Sequence, residues 1–466
     1  VRLIISSEQT PRPLNYLALS HVWGKSQFTK LTTLNIQDLQ KRISPLDLSR
    51  TFLDAITVAR RLGVRYLWID SLCILQDSPE DWRIESSMMH EVYKNSLCVI
   101  AASEASEPHQ GLFKTRDTLE FTPFKVCFTP EDQPKDYYCL LDWWKDMRKT
   151  SPLSKRGWVV QERLLSPRTI HFATPMFWEC RELVACEAYP HGLNGPRDRR
   201  TNKVWSKLPF SRWKDPLNLW DHTVLTYTKG FLTRPEDKLI AISGIARLFQ
   251  SLFQDRYIAG LWSKELLRGL LWSVGKHDLG EDKKDTTRAK IYRAPSWSWA
   301  SIDGEVTTGP WLFTVTKHLV DVLTTHILPL ADDELGQISY GHIDLAGKLF
   351  KLPEFDGVLE NVRVDDDDYD PWSFGLDDWS DLPSQMDITY FLPIAEVRDD
   401  VRRINLNFHG LLLQHHSANS GELTSYHRIG FARVDHNGSI AGTKSILRDW
   451  TEPPWPIHEL GTVRLV

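Results

Sequence analysis

Two sets of side chains in this sequence have the types and spacing to do chemistry. In Trp158-Val-Val-Gln-Glu162 an indole and a carboxylate stand four residues apart, and on a helix those positions share a face. An indole stacks on a flat base, while a carboxylate grips ribose hydroxyls and stabilises positive charge developing at a glycosidic carbon. The pair therefore suits a sugar-bearing aromatic ligand. The same spacing also fits a core Trp beside a Glu paired with Arg163 or Lys155, and spacing alone leaves both open. The second set is dispersed: Ser20, Asp70 and Ser103 each follow a short apolar run.

Those residues need elements to bring them together. Tyr16 to Ser20 reads as a buried strand. Thr51-x-x-Asp54 resembles a capping box, and Phe52, Ala55, Ile56, Ala59 and Leu62 form one helical face that Gly63 ends. Val64 to Ile69 is a second strand. Ser78-Pro79-Glu80-Asp81 starts a second helix with an N-cap, a Pro and acids in the first turn. Leu97 to Ala102 is a third strand. Helical crossovers return each strand to the same direction, so the spacing predicts a parallel sheet with Ser20, Asp70 and Ser103 on one rim. Ligands of open α/β sheets lie beyond the carboxyl ends of the strands, which makes that rim the place for chemistry.

Farther along, residues 104 to 150 interrupt the pattern with a hairpin expected over Phe124 to Phe128 and Tyr137 to Leu141. Ser154-Lys-Arg-Gly-Trp158 opens a helix through Glu162 to Leu165, followed by strands at Arg168 to Phe172 and Met176 to Cys180. The division expected is a first domain over 1–190 with its core at 16–180, a Trp-rich and mainly helical extension over 191–310, and a β-rich region over 311–466. Strands are expected there near Ile338 to Leu345, Ile388 to Ile394, Gly410 to Gln414 and Arg428 to Val434. The acidic stretches at Asp365 to Asp368 and Asp377 to Asp381 read as a solvated loop, and so does His415-His416. Asn437-Gly438 reads as a hairpin turn.

The chain has 466 residues and a formal charge of −5, from 56 Lys and Arg against 61 Asp and Glu. That balance gives no electrostatic case for nucleic acid or an acidic membrane surface as partner. Its apolar runs are far shorter than a membrane span. Six cysteines without C-x-x-C pairs fit core thiols in a reducing cytoplasm rather than a disulfide or zinc framework. Nineteen tryptophans suggest aromatic-lined crevices. There is no G-x-G-x-x-G, Walker loop, H-E-x-x-H or G-x-S-x-G, which removes the commonest nucleotide, zinc and hydrolase signatures.

Four blocks in order carry a resemblance: Tyr16-Leu-Ala-Leu-Ser-His-Val-Trp-Gly24, Leu67-Trp-Ile-Asp-Ser-Leu-Cys-Ile-Leu-Gln76, Met89-x-x-Val-Tyr93 and Arg156-Gly-Trp-Val-Val-Gln-Glu-Arg163. Together they resemble the signature blocks of the fungal heterokaryon incompatibility (HET) domain. Asp237-Lys-Leu-x-Ala-Ile-Ser-Gly244 and Ala294-Pro-Ser-Trp-Ser-Trp-Ala300 resemble the extension of long HET proteins. The resemblance implies a cytoplasmic role in nonself recognition ending in programmed cell death, with self-association or other incompatibility proteins as partners. HET domains are in turn remotely similar to TIR domains, many of which hydrolyse NAD. That similarity implies a TIR-like, flavodoxin-like parallel sheet with Glu162 as the catalytic carboxylate. Ser20, His21, Trp23, Gly24, Asp70 and Trp158 would line the ligand. NAD would be a substrate rather than a cofactor, and no metal is implied, because nicotinamide in NAD is already a cationic leaving group. The insertion at 104–150 and Val159, where TIR domains carry Cys, depart from the TIR pattern. The rival reading is a non-enzymatic switch working through self-association or partner binding.

Overall fold

The computed structural model describes residues 1–9, 13–121, 124–128, 135–139, 143–193, 215–274, 286–308, 313–331, 333–351, 374–377, 389–399, 404–416, 424–435 and 457–466. The chain divides into two compact units, Val1–Lys214 with Gly230–Leu232, and Asp215–Lys229 with Thr233–Val466. The expected segments 191–310 and 311–466 thus share most of one unit.

In the first unit, β1 (Tyr16–Ser20), β2 (Tyr66–Ile69) and β3 (Cys98–Ala101) are joined through α1 (Ile36–Lys41), α2 (Arg50–Arg61), α3 (Asp70–Cys73) and α4 (Pro79–Asn95). A hairpin of β4 (Phe124–Phe128) and β5 (Lys135–Cys139) precedes α5 (Trp143–Thr150). Then come α6 (Gly157–Leu165), β6 (Arg168–His171), β7 (Phe177–Cys180) and β8 (Val184–Cys186). The sheet order is β2-β1-β3-β6-β7-β8. Its first four strands are parallel, and β7 and β8 are added through antiparallel pairings, β7 to β6 and β8 to β7. The expectation of a parallel sheet is corrected at that end, because the short link from Phe172 to Met176 has no room for a crossover helix.

Strand alternation decides which helix each residue meets. Leu17 and Leu19 of β1 pack in one cluster with Phe52 and Ala55 of α2. Ala18 packs on the opposite face with Met89 and Tyr93 of α4 and with Trp158 of α6. The first crossover therefore lies on one face and the next two on the other, so the chain reverses its direction of travel at the gap between β1 and β3. In α/β sheets such a gap opens a crevice at the carboxyl edge.

Helix ends follow local chemistry, with one correction. Ser78 caps α4 by accepting from the Asp81 N–H (3.2 Å), and Gly63 ends α2 at φ +69°. The cap of α2 is Ser49, accepting from Phe52 N–H at 3.3 Å, not Thr51. Asp54 is buried instead, taking the Leu112 N–H at 2.8 Å and facing Arg50 at 3.0 Å. Its carboxylate ties a distant loop to the Arg50 side chain and caps no N–H of its own helix start.

The second unit has α7 (Pro216–Lys229), α8 (Ile240–Phe253) and a sheet of strands Phe313–His318, Asp321–Pro329, Ile338–Lys351, Phe374–Leu376, Thr389–Asp399, Ile404–His416, Ser425–Asp435 and Ile457–Leu465. Pairing of Ile338–Lys351 with both Ile457–Leu465 and Thr389–Asp399 closes part of this sheet into a ring. Closure removes edges within the ring, while Phe313–His318 and Asp321–Pro329 remain the end strands of the sheet.

Trp272, Trp297 and Trp299 are fully buried, with the Trp272 indole donating to Trp297 O (2.7 Å) and Trp299 to Gly260 O (2.8 Å). These tryptophans build a core rather than the crevices that composition suggests. Asp377, expected in a solvated loop, is also buried, paired with fully buried Arg428 at 2.9 Å. A guanidinium sealed under Trp272, 3.3 Å from its ring centre, needs that charge. His415 and His416 lie in a strand, not a loop, and His416 stacks on His427 at 4.2 Å. Asp365 to Asp368 and Asn437-Gly438 lie outside the described residues. Among the described residues, no helix is long and apolar enough to cross a membrane.

Candidate functional site

The carboxyl edge of β1 is where the sequence's dispersed residues meet. Ser20 stands two positions beyond Ala18 and so faces α4 and α6. It donates to Glu162 Oε2 at 2.5 Å, across 142 residues of sequence. Tyr93, one helical turn past Met89 on the sheet-facing stripe of α4, hydrogen-bonds the same carboxylate. Arg156, at the N-cap of α6, adds positive charge nearby and donates to the His21 carbonyl.

Glu162 is only 3% exposed. Burial pushes its carboxyl above the usual range, and the nearby Asp70 charge pushes the same way; Arg156 and the hydrogen bonds from Ser20 and Tyr93 oppose the shift. The pair expected at Arg163 does not form, since Arg163 binds Glu179 in a two-pronged ion pair at 2.8 and 2.7 Å.

Trp158 and Glu162 do share a face of α6, but that face looks onto the sheet. The Trp158 indole packs, half-buried, against Ala18, Met89, Tyr93 and Val99. The expected open hollow between indole and acid is therefore corrected to a closed polar cluster beneath the rim. The reason is the packing of α6 on α4 and β1, which takes up the whole stripe that carries both residues.

Asp70 follows Ile69, which is in register with Leu19, so it sits beside the end of β1. Its carboxylate accepts from the Ser71 N–H (2.6 Å) and from the Trp23 indole at 2.9 Å. His21 turns to the other face, edge-on to Phe28 and Phe52. Its Nδ1 lies 3.8 Å from Asp70 Oδ1, beyond hydrogen-bonding reach, and neither ring nitrogen has a hydrogen-bond partner. Gly24, at φ +63°, forms a turn above them that closes on Glu107. Ser103 sits on the same rim but belongs to another network, 3.1 Å from His171 Nδ1. A cleft of about 370 Å³ lies elsewhere, between the end of α2, β6 and the chain at Leu112, and is lined by none of these residues.

Burial pulls the His21 imidazole down to about 4, so it stays neutral through the physiological range. Its folded value lies below its unfolded one, so its stabilising contribution is complete above pH 6.5 and is lost as pH falls through about 4. We expect urea midpoints to drop between those pH values, by the equivalent of about 3 kcal/mol at the limit. A His21→Phe variant should flatten that part of the profile. An unchanged slope in the variant would assign the acid sensitivity to other groups.

Sequence reasoning missed three members of this region as site residues: Tyr93, Arg156 and Glu107. For Tyr93 a signal was present, a phenol one helical turn past Met89 on the buried face of α4.

The family model "Heterokaryon incompatibility protein (HET)" matches residues 16–162, from the first residue of β1 to the buried glutamate. A curated relative, "Heterokaryon incompatibility protein 6, OR allele" of Neurospora crassa, is 30% identical over 95 residues, covering 19% of this chain and 14% of that protein. No solved structure matches the chain. A match this narrow spans a small part of the relative and speaks for the domain it covers. On these matches, with the signature blocks standing at β1, β2, α4 and α6, residues 16–162 of this chain carry a HET domain.

Proposed function

We propose that the chain acts in fungal heterokaryon incompatibility, and that its HET domain cleaves the nicotinamide glycosidic bond of NAD or a close relative to feed a cell-death response in the cytoplasm. The observation that carries this reading is the Ser20–Glu162 hydrogen bond at the β1/β3 switch point. A strand order that begins β2-β1-β3-β6 agrees with a TIR-like, flavodoxin-like arrangement. In the reaction the bond between ribose C1′ and the nicotinamide nitrogen breaks, and its electron pair leaves with neutral nicotinamide. Water adds at C1′ and loses a proton. Glu162, ionised and oriented by Ser20 and Tyr93, stabilises the positive charge at the sugar. His21, Trp23, Gly24 and Asp70 would line the rim, with Trp158 backing the carboxylate. The buried Glu162 makes this a resting form, and ligand entry requires α6 or the β1 loop to part.

That same burial favours a second reading, a non-enzymatic switch in which the closed cluster holds the domain until it self-associates or meets another incompatibility protein. Purified wild type and Glu162→Ala, incubated with NAD and followed for free nicotinamide, separate the two. Release by wild type alone supports the enzyme. Equal release by both removes Glu162 from the mechanism, and no release by either at high protein concentration favours the switch.

A further inference from the structure

The turn after β1 holds a carboxylate as a phosphate site would hold phosphate. Gly24 has φ +63°, and the two N–H groups that follow it point into one concavity. Lys25 N–H donates to both Glu107 oxygens, at 3.0 and 3.1 Å. Ser26 adds its N–H at 3.1 Å and its hydroxyl at 2.8 Å, both to Oε2. Successive N–H groups after a left-handed residue form a nest that receives an anion, and Lys25 places a cation on the same exposed turn. A Cβ at Gly24 would overlap the Glu107 carboxylate, so the close approach needs glycine.

The occupant comes from outside the turn, more than eighty residues along the chain. Its own segment is preorganised: Gln110 Oε1 accepts from the N–H groups of Ser106 (2.7 Å) and Glu107 (3.3 Å). The nest thus carries a built-in anion at its mouth, a few residues past Ser20 and beside the switch point.

We infer that the Gly24–Ser26 turn is a phosphate-binding nest occupied at rest by Glu107, and that a phosphate-bearing ligand enters by displacing that side chain. The inference deepens the dinucleotide reading, placing the pyrophosphate over the β1 turn and making Glu107 the gate. The hydrogen bonds that hold Glu107 keep its carboxyl below the ordinary range, so it stays an anion when seated.

Calorimetric titration of the whole chain with inorganic pyrophosphate tests this, because it reads the nest without any bond cleavage. Glu107→Gln and Glu107→Ala should bind at least tenfold more tightly than wild type, and adding Ser26→Ala to the second should reverse at least threefold of that gain. Glu107→Gln keeps the side chain's shape, which preserves a reading should the alanine variant lose its fold. Equal affinity across wild type and both Glu107 variants overturns the nest. Nicotinamide release is scored separately. Tighter pyrophosphate binding without NAD cleavage keeps the nest and retires the hydrolase, whereas NAD cleavage with no gain in pyrophosphate affinity retires the nest alone.

Discussion

Glu162→Gln should lose nicotinamide release by about 10²- to 10³-fold, the range for removing one preorganised electrostatic partner, while the protein becomes more stable at neutral pH. The second half follows from the direction of the Glu162 shift. Its folded value lies above the usual 4.5, chiefly because burial penalises the ionised form. Below the unfolded value both states hold the proton and nothing is lost. As pH rises through the folded value, the native state must ionise a carboxylate sealed beneath the rim, and stability falls. Glutamine keeps the shape and an acceptor for Ser20 without the charge. Wild type and variant should therefore have matching urea midpoints near pH 4.5 and diverge above it, with the variant ahead at pH 7. A variant less stable at every pH would mean that Arg156 and the hydrogen bonds outweigh desolvation. The charge would then be structural.

Glu179→Ala should cost about 3–5 kcal/mol, the price of breaking a buried pair from one side. Glu179 is fully buried and holds the Arg163 guanidinium with two hydrogen bonds, and His171 Nε2 lies 3.3 Å from the same carboxylate. Arg163 also lies over the Trp144 ring at 5.3 Å. This network ties α6 to β7, so it fixes the helix on which Glu162 sits. An Arg163→Met, Glu179→Leu double variant removes both charges together and should recover much of the loss, because no uncompensated ion remains. Urea unfolding of the three proteins is the measurement. A single-variant loss under about 1 kcal/mol would show that the pair is solvated or replaced.

Much of the rim was legible in the sequence because it depends on local rules. Apolar runs ending at Ser20 and Ile69, with a helix pattern between them, are enough to set Ser20 and Asp70 side by side. The four-residue spacing is enough to put Trp158 and Glu162 on one face of α6. What that face meets was not legible. Whether it opens to solvent or lies against β1 depends on contacts between residues more than a hundred positions apart, such as Ser20 and Glu162. Glu107 was hidden for the same reason, since nothing near Gly24 announces the acid that fills its turn. The tryptophans misled because their number says how much aromatic surface must be placed, not whether a crevice or a core receives it. Trp272 and Trp299 satisfy their N–H groups on backbone carbonyls inside the fold.

We propose that Ser20 and Glu162 act as one unit on the nicotinamide bond. A double-mutant cycle measures this most directly: nicotinamide release from NAD by wild type, Ser20→Ala, Glu162→Gln and the combined variant. Groups that act together lose activity non-additively. The combined variant should be no slower than Glu162→Gln alone. Losses that multiply, as from two independent sites, or a Glu162→Gln rate equal to wild type, would contradict it.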